Sequence, residues 1–406
     1  MSGMRTSERL LAGPGSALDR AILGFVGSHL RCGRLIVRMP DGRVRAFEGR
    51  LDGPTARVDL HDTSVLRRLA ATGAIALAEG YIDGRYDSPD LAALIELGSL
   101  HMEPEYRTEV PDAVQRELRT AWRKVGRAFE TRGPVRDIVH HYDLGNDFYG
   151  AWLDPTMTYS SAVFARDDMT LEEAQREKYR RLASAADVRV GHRVLEIGSG
   201  WGGFAAYLAA ERGADVTTMT VSREQATYVE KLAAEAGLAD RLRVDLRDFK
   251  EAEGSFDRVV SIEMIESIPG NRWAEFFGVV RDRLVPGGLA GLQIITVADR
   301  HWSWSDENPD FVRRYVFPGG QVPSPSVLRR LTEVAGLGWI SSAEYGRSYA
   351  RTLRTWLERF DAAWPTIAAL GFDEPFRRMW RYYLSYCQGG FASGRTDVSQ
   401  IVLERS

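Results

Sequence analysis

Chemistry in this 406-residue chain gathers first around VLEIGSGWGG, Val194 to Gly203, where an apolar run ends in a glycine-rich turn that opens a helical pattern. With no side chains at Gly198, Gly200 and Gly203, the backbone can approach a ligand closely beside the free N–H groups of a helix N-terminus. The spacing satisfies G-x-G-x-x-G, but a nicotinamide site also places an acid about 20 residues further on for the ribose. Thr218, Met219 and Thr220 occupy that stretch. The acid instead precedes the glycines, as Glu196. A second carboxylate, Asp248 in LRDF, ends the third strand-like run, where it can accept a hydrogen bond from an adenine amino group. Asp248 would serve equally well as a helix cap.

Alternating elements must position these groups. From about Arg189 the chain reads HRVLEIG, a helix through FAAYLAAERG, DVTTMTV, a helix through SREQATYVEKLAAEAG, then LRVDLRD and FDRVVSIEM. The apolar run Leu289 to Val297 supplies a further buried strand after the turn signal LVPGG. Such alternation predicts an α/β fold with a doubly wound, parallel sheet. Upstream, residues 1–110 mix β-like runs (GRLIVRMP, ARVDLHD) with helical pattern (TSVLRRLAATG, SPDLAALIELGSL), which reads as a small α+β domain. Residues 111–136 form a basic helical linker that includes Arg116, Arg119, Arg123, Lys124, Arg127, Arg132 and Arg136. That face suits solvent or anionic lipid headgroups. The third domain runs over 137–406. Its WLERFDAAW and FRRMWRYYLSYC segments carry apolar residues at helical spacing, a pattern more often core than ligand box.

Composition bounds the function. With 44% hydrophobic and 27% charged residues the chain reads as an ordinary folded protein, and a net charge of −3 argues against nucleic-acid binding. Cys32 and Cys387 are too few and too far apart for a disulfide framework or a cysteine metal cluster, so no metal is expected and a reducing cytoplasm fits. Gly13, Pro14 and Gly15 interrupt any signal-like apolar region near the start. The apolar stretch Leu289 to Ala298 is about half of what a membrane-spanning helix needs. Membrane contact is therefore expected to be peripheral, on the inner face.

The segment HHYDLGNDFYGAWLDPTMTYSSAVF, His140 to Phe164, resembles the cyclopropane fatty acid synthase family, including mycolic acid cyclopropane synthases and actinobacterial fatty-acid methyltransferases. The similarity continues through VLEIGSGWGG, MTVSREQ, VSIEMIES, RYVFPGGQVPS, SYARTLRTWLERF and YYLSYCQGGF, essentially from Asp137 to the C-terminus. AEGYIDGRYDSPDL, Ala78 to Leu91, is similar to the family's lipid-binding-like N-terminal domain. Glu196 before its glycine turn resembles motif I of class I methyltransferases. The resemblance implies a Rossmann-like class I fold, S-adenosylmethionine as donor, and a phospholipid with an unsaturated acyl chain as acceptor. In that chemistry the alkene attacks the sulfonium methyl and leaves a carbocation on the acyl chain. Proton loss from the new methyl closes a cyclopropane, the product expected here. Proton loss after a hydride shift is the alternative, giving a methylene branch that a separate reductase would convert to a methyl branch. The resemblance also implies a homodimer. A lipid-binding protein with a relict methyltransferase fold is the competing reading from another class; the intact glycine turn, TVSREQ and Glu266 speak against it.

Residue by residue, the resemblance implies cofactor roles for Tyr159 and Ser160 in TYSS, Gly198 and Gly200, and Thr220, Ser222 and Gln225 in TVSREQ, beside Glu196 and Asp248. Each could also be an ordinary turn or cap residue. Tyr142 corresponds to a tyrosine near the acyl chain and the reacting centre. Family members hold a bicarbonate ion as base between a cysteine, a glutamate, a histidine and a tyrosine. The glutamate corresponds to Glu266 and the tyrosine to Tyr349, but Ser161 stands at the cysteine position and Gln293 at the histidine position. Neither supplies an imidazole, which weighs against bound bicarbonate. Glu263 occupies a position that is often glycine in the cyclopropane synthases. On a helix Glu263 and Glu266 would share a face, and crowding would raise one pKa toward that of a general base.

Overall fold

The computed structural model describes residues 17–102, 144–302 and 310–406, which fall into two compact units. Tyr142 and the basic segment 111–136 lie outside the described residues. The first unit holds β1 (Cys32–Arg38), β2 (Val44–Glu48), β3 (Leu51–Leu60) and β4 (Tyr86–Asp87) in the order β2-β1-β3-β4. β1 pairs antiparallel with β2 and parallel with β3. Helices Ile75–Ile82 and Leu91–Leu100 belong to the same unit, an α+β arrangement.

The helix Glu374–Ala392 joins this first unit, although the sequence reading places it in the domain 137–406. Its apolar stripe explains why. Phe376, Met379 and Trp380 are fully buried, and the Gly389 backbone approaches Leu91–Leu100 so closely that a Cβ there would meet Glu96 N at 2.8 Å. Arg378 is turned inward. It donates to the Tyr86 carbonyl at 2.9 Å and to Asp87 at 2.7 Å.

The second unit is built on β5 (Arg193–Ile197), β6 (Asp215–Thr220), β7 (Leu242–Leu246), β8 (Phe256–Ile262), β9 (Leu284–Val297), β10 (Leu337–Glu344) and β11 (Thr396–Arg405). Their order is β10-β11-β9-β8-β5-β6-β7. β5 to β9 run parallel, while β11 pairs antiparallel with β9 and β10. Alternation along each strand feeds two cores. Leu195, Ile197 and Val259 enter one with Phe276, Phe277 and Leu292, while Val194 and Val260 enter the other with Leu182, Phe204 and Leu208. A sheet covered on both faces needs such apolar strands.

One strand begins earlier than its sequence suggests. LVPGG lies inside β9 as an irregularity, where pairing jumps from Phe256↔Leu284 to Arg258↔Leu289, and does not end as a turn before the strand. Strand order reverses between β5 and β8, because the chain winds from β5 to β7 on one side and from β8 outward on the other. The crevice beyond the strand ends at such a reversal is where doubly wound folds bind ligands.

Candidate active site

The crevice is a cavity of about 690 Å³ in the second unit, within the size range of small-molecule sites. Gly198, at the end of β5, has φ +94°, and a Cβ there would lie 2.9 Å from Met264 Cγ. At Gly203 a Cβ would come within 3.0 Å of the Thr156 carbonyl and 2.6 Å of the Tyr179 hydroxyl. The first and third glycines of the turn are thus fixed by close approach, while Gly200 lines the cavity between them.

All of the sequence-predicted cofactor residues reach this wall. Glu196 lies under the turn, buried, its carboxylate accepting from Thr218 Oγ1 at 2.5 Å. From the end of β6, Thr220 donates to Gln225 Oε1 at 2.8 Å, and Ser222 caps the next helix by accepting from Gln225 N at 3.3 Å. Asp248 combines a place in the cavity wall with a capping bond. It lines the cavity, and it caps a short helical turn by accepting from Lys250 N at 3.1 Å. Tyr159 brings its ring 5.2 Å from those of Tyr149 and Trp356. Ser160 accepts from Lys178 Nζ at 2.6 Å.

Glu263 lines the same cavity just beyond β8, and three other predicted catalytic residues converge on it. Its Oε1 accepts from Ser161 N and from Gln293 Nε2, both at 2.8 Å, and its Oε2 accepts from the Tyr349 hydroxyl at 2.7 Å. Ser161 contributes its main chain only; its hydroxyl donates to the Ala162 carbonyl at 3.0 Å. Glu263 also has φ +49°, the left-handed region that glycine enters freely. Its N–H donates to the Gln293 carbonyl at 2.8 Å, so Gln293 holds both its backbone and its side chain.

The shared helix face expected for Glu263 and Glu266 is absent. A short 3-10 turn spans Ile265–Ser267 and excludes Glu263, whose left-handed backbone breaks any helical register. Glu266 instead binds the Ile295 N–H through Oε1, while its buried Oε2 has no hydrogen-bond partner among the described residues. Burial, then the nearby Glu263 charge, pushes the Glu266 carboxyl up to about 8.

Burial also dominates the electrostatics of the other groups. It raises the Glu263 carboxyl, against the opposing pull of Lys178, Gln293, Tyr349 and the Ser161 N–H. It lowers fully buried Lys178 to about 7, against Glu263, Asp154 and Glu196. It raises Glu196 to about 8, less the bond from Thr218 and the charge of Lys178. Lys178 was overlooked in the sequence, yet helical spacing from Leu171 already sets it on the buried face with Ala174, Gln175 and Leu182.

These features define a class of protein. A doubly wound sheet reversing at β5/β8, with a glycine turn closed against its neighbours and a cavity at the reversal, is the fold of a class I S-adenosylmethionine-dependent methyltransferase. The cradle suits that cofactor: Gly198 and Gly203 leave space a side chain would fill, and Asp248 offers an acceptor in the cavity wall.

The chain belongs to the mycolic acid cyclopropane synthetase family, whose model matches residues 129–401. It is 34% identical to the tuberculostearic acid methyltransferase UfaA1 of Mycobacterium tuberculosis, over 97% of this chain and 92% of that protein. It is 32% identical to the cyclopropane-fatty-acyl-phospholipid synthase of Escherichia coli, over 86% of this chain and 88% of that one. The crystal structure of mycolic acid cyclopropane synthase CmaA1, complexed with SAH and CTAB, matches 68% of this chain and all of that chain at a TM-score of 0.61 and 30% identity. The protein is an S-adenosylmethionine-dependent C-methyltransferase acting on fatty acids. No helix among the described residues is long and apolar enough to cross a membrane.

Proposed function

We propose that this enzyme methylates the cis double bond of an unsaturated phospholipid acyl chain, with Glu263 as the general base, and releases a methylene-branched chain. The observation that carries the reading is the Glu263 carboxylate, half-buried in the cavity wall and held by three donors. S-adenosylmethionine, when bound, would supply the electrophilic methyl that the alkene takes up and leave as S-adenosylhomocysteine; a 1,2-hydride shift along the acyl chain then brings the positive charge to the carbon bearing the new methyl.

The protein's own residues then have to hold that charge in a dry site and remove one proton. Tyr159 and Tyr149 line the cavity with aromatic rings of the kind that tolerate a cation, and Trp356 and Trp152 pack against them. Donors from Ser161, Gln293 and Tyr349, with the Lys178 charge, favour ionised Glu263, while burial raises its basicity. A base must be deprotonated before the reaction and basic enough to take the proton, and these opposed influences serve both needs. Tyr349, Gln293 and Ser161 aim the carboxylate; Glu266 is tied to β9 through the Ile295 N–H. We assign the roles proposed for Tyr159, Ser160, Glu196, Gly198, Gly200, Thr220, Ser222, Gln225 and Asp248 to S-adenosylmethionine, and the role of Tyr142 to the acyl chain.

Two considerations favour the branch over the ring. Ser161 and Gln293 replace the cysteine and histidine that the family resemblance associates with bicarbonate, and a protein carboxylate fills the donor set instead. In addition, the relative matched over 97% of this chain is a tuberculostearic acid methyltransferase, which makes a methyl-branched fatty acid. The ring is the second reading, favoured by the cyclopropane synthase matched over 86%. Reaching a saturated methyl branch would require a separate reductase. Access to a phospholipid requires peripheral contact with a membrane surface. NMR of the product from oleoyl phospholipid tests the proposal: exocyclic vinyl protons are expected, and upfield ring protons would replace this reading with the second.

A further inference from the structure

We propose that Gln400 is a positioning residue, which fixes the Gln293 amide so that its NH2 faces Glu263. This rests on Glu263 being the base. Gln400 lies directly across from Gln293 in the antiparallel β9–β11 pair, so the two side chains stand side by side on one face of the sheet. Both are buried. Gln400 Nε2 donates to the Lys178 carbonyl at 3.2 Å and to Gln293 Oε1 at 3.0 Å. Gln293 Nε2 donates in turn to Glu263 Oε1 at 2.8 Å and to the Ser161 carbonyl at 3.3 Å.

Polarity in this chain of bonds is set at its far end. The Lys178 main-chain carbonyl can only accept, so Gln400 must present its NH2 there. The same NH2 reaches Gln293 and obliges it to present oxygen. The Gln293 NH2 is then left for Glu263. A reversed Gln293 would set its carbonyl against a carboxylate and the Ser161 carbonyl, an arrangement of acceptors with no proton between them. An amide in place of an ionisable ring delivers its donor at every pH, so the donor set around the base does not titrate away. The groups that do titrate around Glu263 are Lys178 on the helix Leu171–Ala185, Tyr349 on the helix Gly346–Ala369 and Glu266 after β8, with Glu196 and Asp154 acting on Lys178.

Without the Gln400 amide, Gln293 Oε1 loses the donor that anchors it, the amide is held from one end only, and its bond to Glu263, which favours the ionised form, weakens. The acid limb of the kcat–pH profile then moves upward. In Gln400→Met, similar in length but without the amide, the limb should rise by about one pH unit, with kcat about tenfold lower on its acid side. KM for S-adenosylmethionine should be unchanged. Adding Gln400→Met to Gln293→Met should shift the limb no further, because Gln400 acts only through Gln293.

A limb that stays in place in folded Gln400→Met overturns the proposal, even if kcat falls. Should that variant not fold, Gln293→Met removes the same donor from the other end, and an unmoved limb there overturns it equally. Loss of the underlying base reading shows up separately, as full activity in Glu263→Gln.

Discussion

Glu263 carries both a backbone cost and a chemical role. A non-glycine residue at φ +49° is strained by about 1–3 kcal/mol and persists only where its surroundings hold it; here three side-chain acceptor bonds and its own N–H bond to Gln293 do so. Glu263→Gln should lower kcat by about 10²- to 10⁴-fold, the usual contribution of a positioned base, with S-adenosylmethionine binding retained by calorimetry. Glu263→Gly relieves the strain and vacates the donor set. It should fold at least as stably as the parent, lose activity, and regain part of it on addition of bicarbonate, measured as product formed against bicarbonate concentration. The sequence made Glu263, Gln293 and Tyr349 visible as departures from or matches to a pattern. It did not show that Ser161 acts through its N–H, because a hydroxyl's direction depends on a neighbouring carbonyl that only the folded chain supplies. Gln400 was hidden for a similar reason: its partner is 107 positions away and meets it only across β9 and β11.

At the scale of elements, the glycine turn after β5 is tightly constrained. Gly198→Ala would combine an unfavourable φ of +94° with a 2.9 Å approach to Met264. A loss of about 1–3 kcal/mol of stability is expected, together with weakened S-adenosylmethionine binding, read by denaturant titration and calorimetry on the same sample. Strand–helix alternation from β5 to β8 was legible because a sheet covered on both faces leaves continuous apolar runs. LVPGG was misread as a preceding turn because proline and glycine signal a break, whereas β9 absorbs them as an irregularity and keeps its pairing with β8 on both sides. The two-carboxylate helix failed for a different reason: the left-handed backbone at Glu263 cannot be read from residue types when the residue is not glycine.

Over the whole molecule, the helix Glu374–Ala392 shows that order in sequence is not membership of a unit. Its stripe of Phe376, Met379 and Trp380 is complementary to the first unit, a fact set by contacts rather than by spacing. Trp380→Ala should cost that unit about 3–5 kcal/mol, seen as an early transition in thermal unfolding. Buried carboxyls also give the fold a pH signature. Glu196 is raised to about 8 in the folded state, so between the ordinary carboxylate range and about pH 8 the folded protein binds more protons than the unfolded chain. Its contribution is complete at low pH and is lost as pH rises through that window, by at most about 1.4 kcal/mol per pH unit. Glu196→Gln should flatten this part of the melting-temperature profile. The central claim is transfer of one carbon to an acyl double bond with loss of one proton from the transferred group. It is tested most directly by mass spectrometry of oleoyl phospholipid after incubation with S-adenosylmethionine carrying a CD3 group. The account predicts an acyl chain that has gained carbon and kept two of the three deuterium atoms; a chain that keeps all three, a label on the headgroup, or no gain with any unsaturated phospholipid would contradict it.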